Sequence, residues 1–292
     1  MSVWATIVHY GHVGQTRRTI ASVCAGEVAP DVVLVVDNQG DFTAPRGGPS
    51  VRTFRSSGNV GYAGAMAYAA GEALAGGASW IWVLNNDVEV GRSCLAELLD
   101  AGTREPRAAL LTPVILRGDG TVWYAAGTVD MRTMATAHCT RTPVGANRRP
   151  YDTDYATGCA VLCRTAFVAD AGPPDASLFM YYEDVEWSLR ARGRGWRVMV
   201  VPAAHVRHDV AMRGGHRVWS PLAVYLLARN RLLLAERGGH TRVAVASALS
   251  WGIRQCAKGM VSRDGGVTRR ALYAGLRDGL LGRSGPPPGV FR

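Results

Sequence analysis

The feature that most limits what this chain can fold into is the stretch SWIWVLNND at residues 79–87. An apolar run breaks abruptly into Asn85, Asn86 and Asp87. A strand buried on both faces reads as such a continuous apolar run. Polar residues at its carboxyl end lie where an open α/β sheet presents its ligand crevice. Taken alone, Asn-Asn-Asp suits a turn or a helix cap equally well. A second run, DVVLVVDN at 31–38, also ends in an acid and an amide, Asp37 and Asn38.

The segments around these runs alternate in type. Val3–Val8 is a short apolar strand broken at HYGHVG, and a helix is predicted over Gln15–Ala25. After a Gly/Pro loop at 40–49, VRTF is a third strand, closed by RSSGNVGYAGAM. The small residues of 63–76 predict a helix lying close on a sheet. This β-α-β-loop-β-α-β order predicts an α/β fold with a parallel, doubly wound sheet. Residues 110–150 hold short strand-like pieces, and CAVLCRTAFVADAG reads as a strand running into a helix. EDVEWSLRARGRGW is a helix whose late arginines suit its dipole. WRVMVVP is a further strand, with HVRHDV following it after Pro202. From Pro221 onward helical patterns dominate, and GPPPG at 285–289 reads as a frayed end. The chain is expected to divide into a body, residues 1–210, and a basic helical extension, residues 211–292.

Charge separates the same two parts. The 292 residues carry a net charge of +10. Residues 211–292 hold 14 Arg or Lys against the three acids Glu236, Asp264 and Asp278, so the body is close to neutral. A basic tail suggests an acidic partner. No zinc-finger spacing or RNP-like motif accompanies it, so nucleic acid is ranked last and none is expected as a partner. The six cysteines form no metal pattern, no signal segment opens the chain, and no stretch of 18 apolar residues occurs. A cytoplasmic protein with reduced thiols is the expectation.

Three strand ends carry the polar groups: Asp37-Asn38, the loop Gly58-Asn59-Val60-Gly61, and Asn85-Asn86-Asp87. Parallel strands present those ends along one edge, where they suit a nucleotide. Asp37 is expected to accept from a base or ribose, and the glycines to let backbone approach the ligand. No G-x-G-x-x-G or Walker sequence is present, which argues against dinucleotides and ATP.

The ordered series VVDN, GNVGYAGAM, WVLNND, TGCAVLCRTAF, FMYYEDVEWSLRARGRGW, VPAAHVRH and YLLARN resembles the family 2 glycosyltransferases, nearest their rhamnosyltransferase-like branch, over residues 3–232. The resemblance implies a GT-A fold: Rossmann-like, a mostly parallel sheet flanked by helices, here with a helical C-terminal extension. It implies inverting transfer of a hexose or deoxyhexose, rhamnose included, from a nucleoside-diphosphate sugar to an acceptor hydroxyl. It also implies a divalent cation, Mg²⁺ or Mn²⁺.

Asp87 matches the last acid of the family's D-x-D motif, and Asn85 replaces the first. His208, ahead of His205, matches a histidine that helps hold metal or diphosphate. Val8, Tyr10, Asp37, Asn59, Gly61, Asn85, Asn86, Asp87, Gly158 and Arg229 are expected around the nucleotide sugar. Asp184 matches the general base, with Glu183 beside it on the acceptor side. A dTDP-sugar is favoured over UDP- and GDP-sugars. The acceptor is expected on a glycan, a lipid-linked glycan or a natural product. The tail would serve peripheral membrane contact, with Leu222, Val224, Leu226, Leu227 and Leu232–Leu234 as apolar faces, or packing and homodimerisation. A nucleotidyltransferase and a catalytically silent sugar-nucleotide-binding protein are the rival readings.

Overall fold

In a computed structural model, residues 1–44, 50–143, 148–208, 219–239, 241–259 and 265–289 are described. The boundary expected between residues 210 and 211 lies outside them, as do Arg213, Arg217, Arg263, Asp264 and Arg292.

The chain begins β1 (Val3–His9), α1 (Val13–Cys24), β2 (Val32–Asp37), β3 (Val51–Arg55), α2 (Gly61–Ala75) and β4 (Trp80–Asn85). Strands β3, β2, β1 and β4 lie side by side and parallel. Every residue of β1 and β2 is buried, as their unbroken apolar runs require. α2 turns Ala63, Ala65, Ala69, Ala70 and Ala73 inward, so small side chains let its backbone lie close to the strands.

After β4 come β5 (Val88–Val90), α3 (Cys94–Arg104), β6 (Ala108–Leu116), β7 (Val122–Tyr124), β8 (Ala126–Asp130), β9 (Ala135–Cys139) and β10 (Tyr151–Asp152). Then follow β11 (Ala160–Arg164), α4 (Thr165–Ala171), α5 (Glu183–Gly193) and β12 (Arg197–His208). The sheet order is β10-β12-β6-β11-β4-β1-β2-β3, with β5 added to β12 and β7 to β6, while β8 and β9 form a separate hairpin. β6 and β12 are parallel, but β11 enters between β4 and β6 antiparallel to both. The N-terminal strands are parallel as their pattern predicted, and the whole sheet is mixed but mostly parallel because of later strands such as β11. Apolar periodicity marks a strand as buried without giving its direction.

Strand β12 also continues through Pro202 to His208 instead of ending there. Its register on β6 shifts between Val201 and His205. Such an irregularity accommodates a residue that has no N–H for the ladder.

The C-terminal helices are α6 (Pro221–Arg237), α7 (Thr241–Gly259) and α8 (Gly265–Leu280). α6 starts where expected of a Ser-Pro pair: the Ser220 side chain accepts from the Ala223 N–H, and Pro221 occupies the first turn. Val224, Ala228, Leu232, Ala244, Ala248 and Leu276 belong to the same buried cluster as Trp80, Trp82 and Leu111 of the sheet. Burying each large side chain of this kind stabilises the fold by roughly 1.5–3 kcal/mol. Most α6 leucines are thus core: Leu226 and Leu232 are wholly enclosed, Leu233 and Leu234 nearly so, and Leu222 and Leu227 half-buried. The enclosed leucines cannot form the apolar face expected of the tail. Exposed large apolar side chains occur instead on α7 and α8.

Nor does the chain fray at GPPPG. The Gly285 N–H donates to the Ser177 carbonyl, its carbonyl accepts from Arg229, and Pro287 is buried.

Candidate active site

Register places the strand ends level. Val8 pairs with Asn85, and His9 with Asp37. The Asn86 amide donates to the Tyr10 carbonyl and to Thr16 Oγ1, tying the end of β4 to the end of β1. Asn86 is thereby a strut, and Val8 is enclosed within β1. Tyr10 stands well exposed beside them, its ring open to stack on a flat ligand.

Asp37 does not do what its position suggested. Its carboxylate is wholly buried and accepts from the N–H groups of Gln39, Gly40 and Phe42. It organises its own turn, leaving no face for a base or ribose. His9 and Asp41, which the motif reading passed over, lie within ligating distance of one another and of Asp37. Both nitrogens of His9 are engaged, by Thr16 Oγ1 at 2.6 Å and Asp41 Oδ1 at 2.8 Å. That bond holds the Asp41 carboxyl below its ordinary range. Asp41 also accepts from the Gln39 amide and keeps an exposed carboxylate edge.

The loop before α2 is equally structural. Asn59 Oδ1 accepts from the Gly61 N–H, and Asn38 donates to the Gly61 carbonyl. Gly61 has φ +78°, and a Cβ there would sit 2.2 Å from the Phe179 carbonyl oxygen. The close approach is between two backbones, not between backbone and ligand.

That contact leads to the segment that sets up the chemistry. Phe179, Tyr181 and Tyr182 have φ of 66°, 67° and 70°. A non-glycine residue held in this region costs of order 1–3 kcal/mol, and such residues persist only when their surroundings over-determine them. Here the Asn230 amide nitrogen lies 2.9, 3.0 and 2.7 Å from the carbonyls of Leu178, Met180 and Tyr181, sharing its two N–H donors among them. Arg229 donates to the Leu178 carbonyl, to the Gly285 carbonyl and to Asn230 Oδ1. Arg229 is wholly buried with all its nitrogens committed. It clamps backbone and does not reach a ligand, contrary to the expectation for it.

The clamped segment delivers Glu183 and Asp184 at the first turn of α5, where the helix dipole favours negative charge. Asp184 Oδ2 accepts from the Gly158 N–H at 2.9 Å, and Oδ1 from the Val185 N–H at 2.8 Å. The Gly158 carbonyl accepts in turn from the Tyr62 hydroxyl. Burial raises both carboxyls above the ordinary range; the Asp184 charge raises Glu183 further, while the backbone donors partly offset the rise at Asp184. Two carboxyls so close hold on to a proton that either alone would release. Glu183 Oε2 is buried with no hydrogen-bond partner.

Opposite them, Asp87 Oδ1 lies 3.2 Å from His208 Nε2, at the end of β12. His205 is exposed, an odd number of residues away along the strand, with its ring on its own backbone at Ala203. The geometry therefore puts His208 beside Asp87. Burial works against the charged His208 ring, but Cys159 and then Asp87 outweigh it and push its pKa up to about 10. Its Nδ1 is buried without a bonded partner. One carboxylate and one imidazole, with a buried Glu183 oxygen unsatisfied across the site, fit a hard divalent cation that keeps waters and shares ligand oxygens. Tyr62 joins the two halves: burial raises its pKa well above its ordinary value, as do, in turn, Cys159, Glu183, Asp184 and Asp87. Asn85 is half-buried, and its backbone N–H donates to the Cys159 carbonyl.

Residues 5–231 match the model of the glycosyltransferase-like family 2. The chain belongs to that family. It is a glycosyltransferase that works on nucleotide-activated sugars and is rhamnosyltransferase-like. It is similar to the N-acetylglucosaminyl-diphospho-decaprenol L-rhamnosyltransferase of Mycobacterium tuberculosis (strain CDC 1551 / Oshkosh): 29% identical over 266 residues, covering 82% of this chain and 84% of the relative. Among solved structures it resembles GalNAc-T7 with UDP, GalNAc and Mn2+, with a TM-score of 0.62 and 19% identity over 80% of this chain and 47% of that one. It also resembles the mannosyltransferase PcManGT from Pyrobaculum calidifontis in complex with GDP-Man and Mn2+, with a TM-score of 0.54 and 12% identity over 95% and 86% of the two chains. At those identities the likeness establishes the GT-A fold and no more.

Replacing Asn230 by Ala in this glycosyltransferase removes this donor from the Met180 and Tyr181 carbonyls and leaves that of Leu178 with Arg229 as its side-chain donor. Stability should fall by about 1–3 kcal/mol in urea denaturation. Sugar transfer should fall while nucleoside-diphosphate binding persists. An unchanged denaturation midpoint would show that residues 178–182 hold themselves.

Proposed function

We propose that the enzyme is an inverting transferase that moves a deoxyhexose, rhamnose first, from a dTDP-sugar to an acceptor hydroxyl. Asp184 is the general base. The observation that carries this reading is the Asp184 carboxylate itself, held at a helix N-terminus by the Gly158 N–H, within one site with Asp87. The acceptor hydroxyl passes its proton to Asp184 as its oxygen attacks the anomeric carbon. The bond from that carbon to the diphosphate breaks on the opposite face, and the configuration inverts. The raised proton affinity of the Glu183–Asp184 pair suits a base that works near neutral pH.

Asp87 and His208 are the residues that would hold a divalent cation, which when bound neutralises the diphosphate charge. The ring of Tyr10 is the surface offered to the base. The relative's acceptor, by its name, is a lipid-linked N-acetylglucosaminyl diphosphate. This supports a lipid-linked acceptor here.

Such a substrate gives the C-terminal helices a role at a membrane surface. Among the described residues no helix is long and apolar enough to cross one. α7 instead exposes Val243, Leu249 and Ile253 between Arg242 and Arg254, and α8 exposes Val267, Tyr273 and Leu280 beside Arg269, Arg270 and Arg277. Apolar side chains rimmed by arginine suit an anionic lipid surface, where each basic residue contributes ~1 kcal/mol.

Asp184→Asn keeps the shape and removes the proton acceptor. Transfer should fall ~10²–10⁴-fold with dTDP binding intact, and near-parental turnover would exclude Asp184 as the base. Because burial raises this carboxyl, the parental rate should begin to fall with decreasing pH above the ordinary carboxylate range near 4. A pH–rate profile flat down to the ordinary carboxylate range would contradict that.

For the cation, Asp87→Ala or excess chelator should weaken dTDP binding in calorimetry. Full turnover in chelator would mean that protein side chains neutralise the diphosphate alone.

Sedimentation with vesicles tests the tail. The chain should pellet with anionic vesicles at low salt and be released at high salt. Recovery in the supernatant under every condition would leave α7 and α8 as a cover or a homodimer contact.

A further inference from the structure

Beside Tyr182 and Trp123 lies a cavity of about 330 Å³ to which the proposed chemistry assigns no role. Its walls include Trp123, His138, Tyr182, Trp219, Trp251 and Arg231. Two of these walls are shared with the reaction site. The Trp123 ring packs edge-on to His208, with centroids 5.3 Å apart, and to His138 at 4.5 Å. Tyr182 immediately precedes Glu183 and Asp184 and is fixed by its hydroxyl to the Met134 carbonyl. A molecule seated in the cavity therefore touches Trp123, which packs on His208, and Tyr182, two residues before Asp184. Flat indole faces are the surfaces on which sugar rings and other apolar groups rest.

Arg231 is the anomaly in this apolar lining. It is only 6% exposed. Its Nε donates to the Thr133 carbonyl and one terminal nitrogen to Ser247 Oγ, both at 2.6 Å. These neutral groups orient the guanidinium without balancing its charge. Among the described residues no carboxylate forms an ion pair with it. Asp130, whose charge does reach it, accepts instead from the N–H groups of Arg132 and Thr133. Burial lowers the Arg231 pKa for the same reason. A buried charge without a counter-ion is expensive, and a planar guanidinium is matched in shape by carboxylate or phosphate oxygens. Arg229, two residues earlier, shows the contrast: its guanidinium is spent on the Leu178 and Gly285 carbonyls and on Asn230.

We infer that this cavity receives the acceptor, and that Arg231 binds a phosphate group on it while the tryptophans take its ring face. The inference rests on the glycosyltransferase reading above and adds the feature of the acceptor that the enzyme selects: a negative charge close to the sugar that reacts. Arg231 is then a specificity residue, separate from the base and from the cation ligands.

The test uses two probes with the same ring, methyl N-acetylglucosaminide and N-acetylglucosamine 1-phosphate. They are titrated calorimetrically into the full chain with chelator present, so that no cation bridges phosphate to Asp87. The phosphate probe should bind about tenfold or more tightly than the neutral one. Arg231→Gln should abolish that preference and leave the neutral probe unchanged, and Arg231→Lys should retain part of it. Equal binding of the two probes, binding of neither at millimolar concentration, or an undiminished preference in Arg231→Gln would each overturn the inference. So would a matching loss of dTDP affinity in that variant, which would assign Arg231 to the donor. Binding of dTDP with Mn²⁺ to the parental chain reads the donor site separately, so failure there is distinguishable from failure at this cavity. Should Arg231→Gln not fold, the parental preference must decline with added salt, and a salt-independent preference would overturn the inference.

Discussion

The site depends on one amide. Asn230 reaches from α6 under residues 178–181 and holds three of their carbonyls, with Arg229 beside it holding one of these and the Gly285 carbonyl. These donors are the main side-chain support for Phe179, Tyr181 and Tyr182 at positive φ, alongside the Ala63 N–H on the Phe179 carbonyl and the Tyr182 hydroxyl on the Met134 carbonyl. Without them the backbone would relax, and the turn that aims Glu183 and Asp184 would relax with it. Strain at a working site needs rigid support elsewhere. Here the support is a helix packed into the main core and a C-terminal segment pinned to the same arginine. The helical extension is thus part of the catalytic body before it is anything else.

The acids delivered this way form an unstable arrangement by themselves. Glu183 is buried and Asp184 beside it half-buried, and their partial removal from water favours the neutral forms. Asp87, His208 and Tyr62 face them across the same space. Such a concentration of half-buried titratable groups, several with shifted proton affinities, is characteristic of functional sites. A diphosphate with its counter-ion on one side and a hydroxyl on the other would satisfy what the protein leaves unsatisfied, Glu183 Oε2 and His208 Nδ1 among them. The Arg231 cavity extends that logic to the acceptor: a charge left unpaired in the free protein marks where an opposite charge belongs.

Much of this was legible along the chain. The two apolar runs marked buried strands and the edge on which their polar ends meet. WVLNND, YYEDVEW and VPAAHVRH together located Asp87, Glu183–Asp184 and His208, and these are the groups the fold brings face to face. The misreadings share a cause. Asp37 and Arg229 were charged residues at suggestive positions, and a motif does not say whether a side chain faces a ligand or its own backbone. Asn230 was noticed only as the neighbour of Arg229. The apolar face on α6 was taken for surface because periodicity alone does not say what a helix packs against.

The sequence by itself determined the α/β class, the strand ends that carry chemistry, the family and the charge asymmetry of the tail. These follow from local patterns: runs of apolar residues, breaks in them and short ordered motifs. Tertiary structure alone decided the antiparallel entry of β11 and the spending of Asp37 and Arg229 on backbone. It alone also decided the clamp of Asn230 on a segment some 50 residues away and the aromatic cavity around Arg231. Each of these depends on which donor meets which acceptor across the fold. Hydrogen bonds and unbalanced charges acquire their meaning only from groups brought close in space, and sequence proximity does not record that closeness.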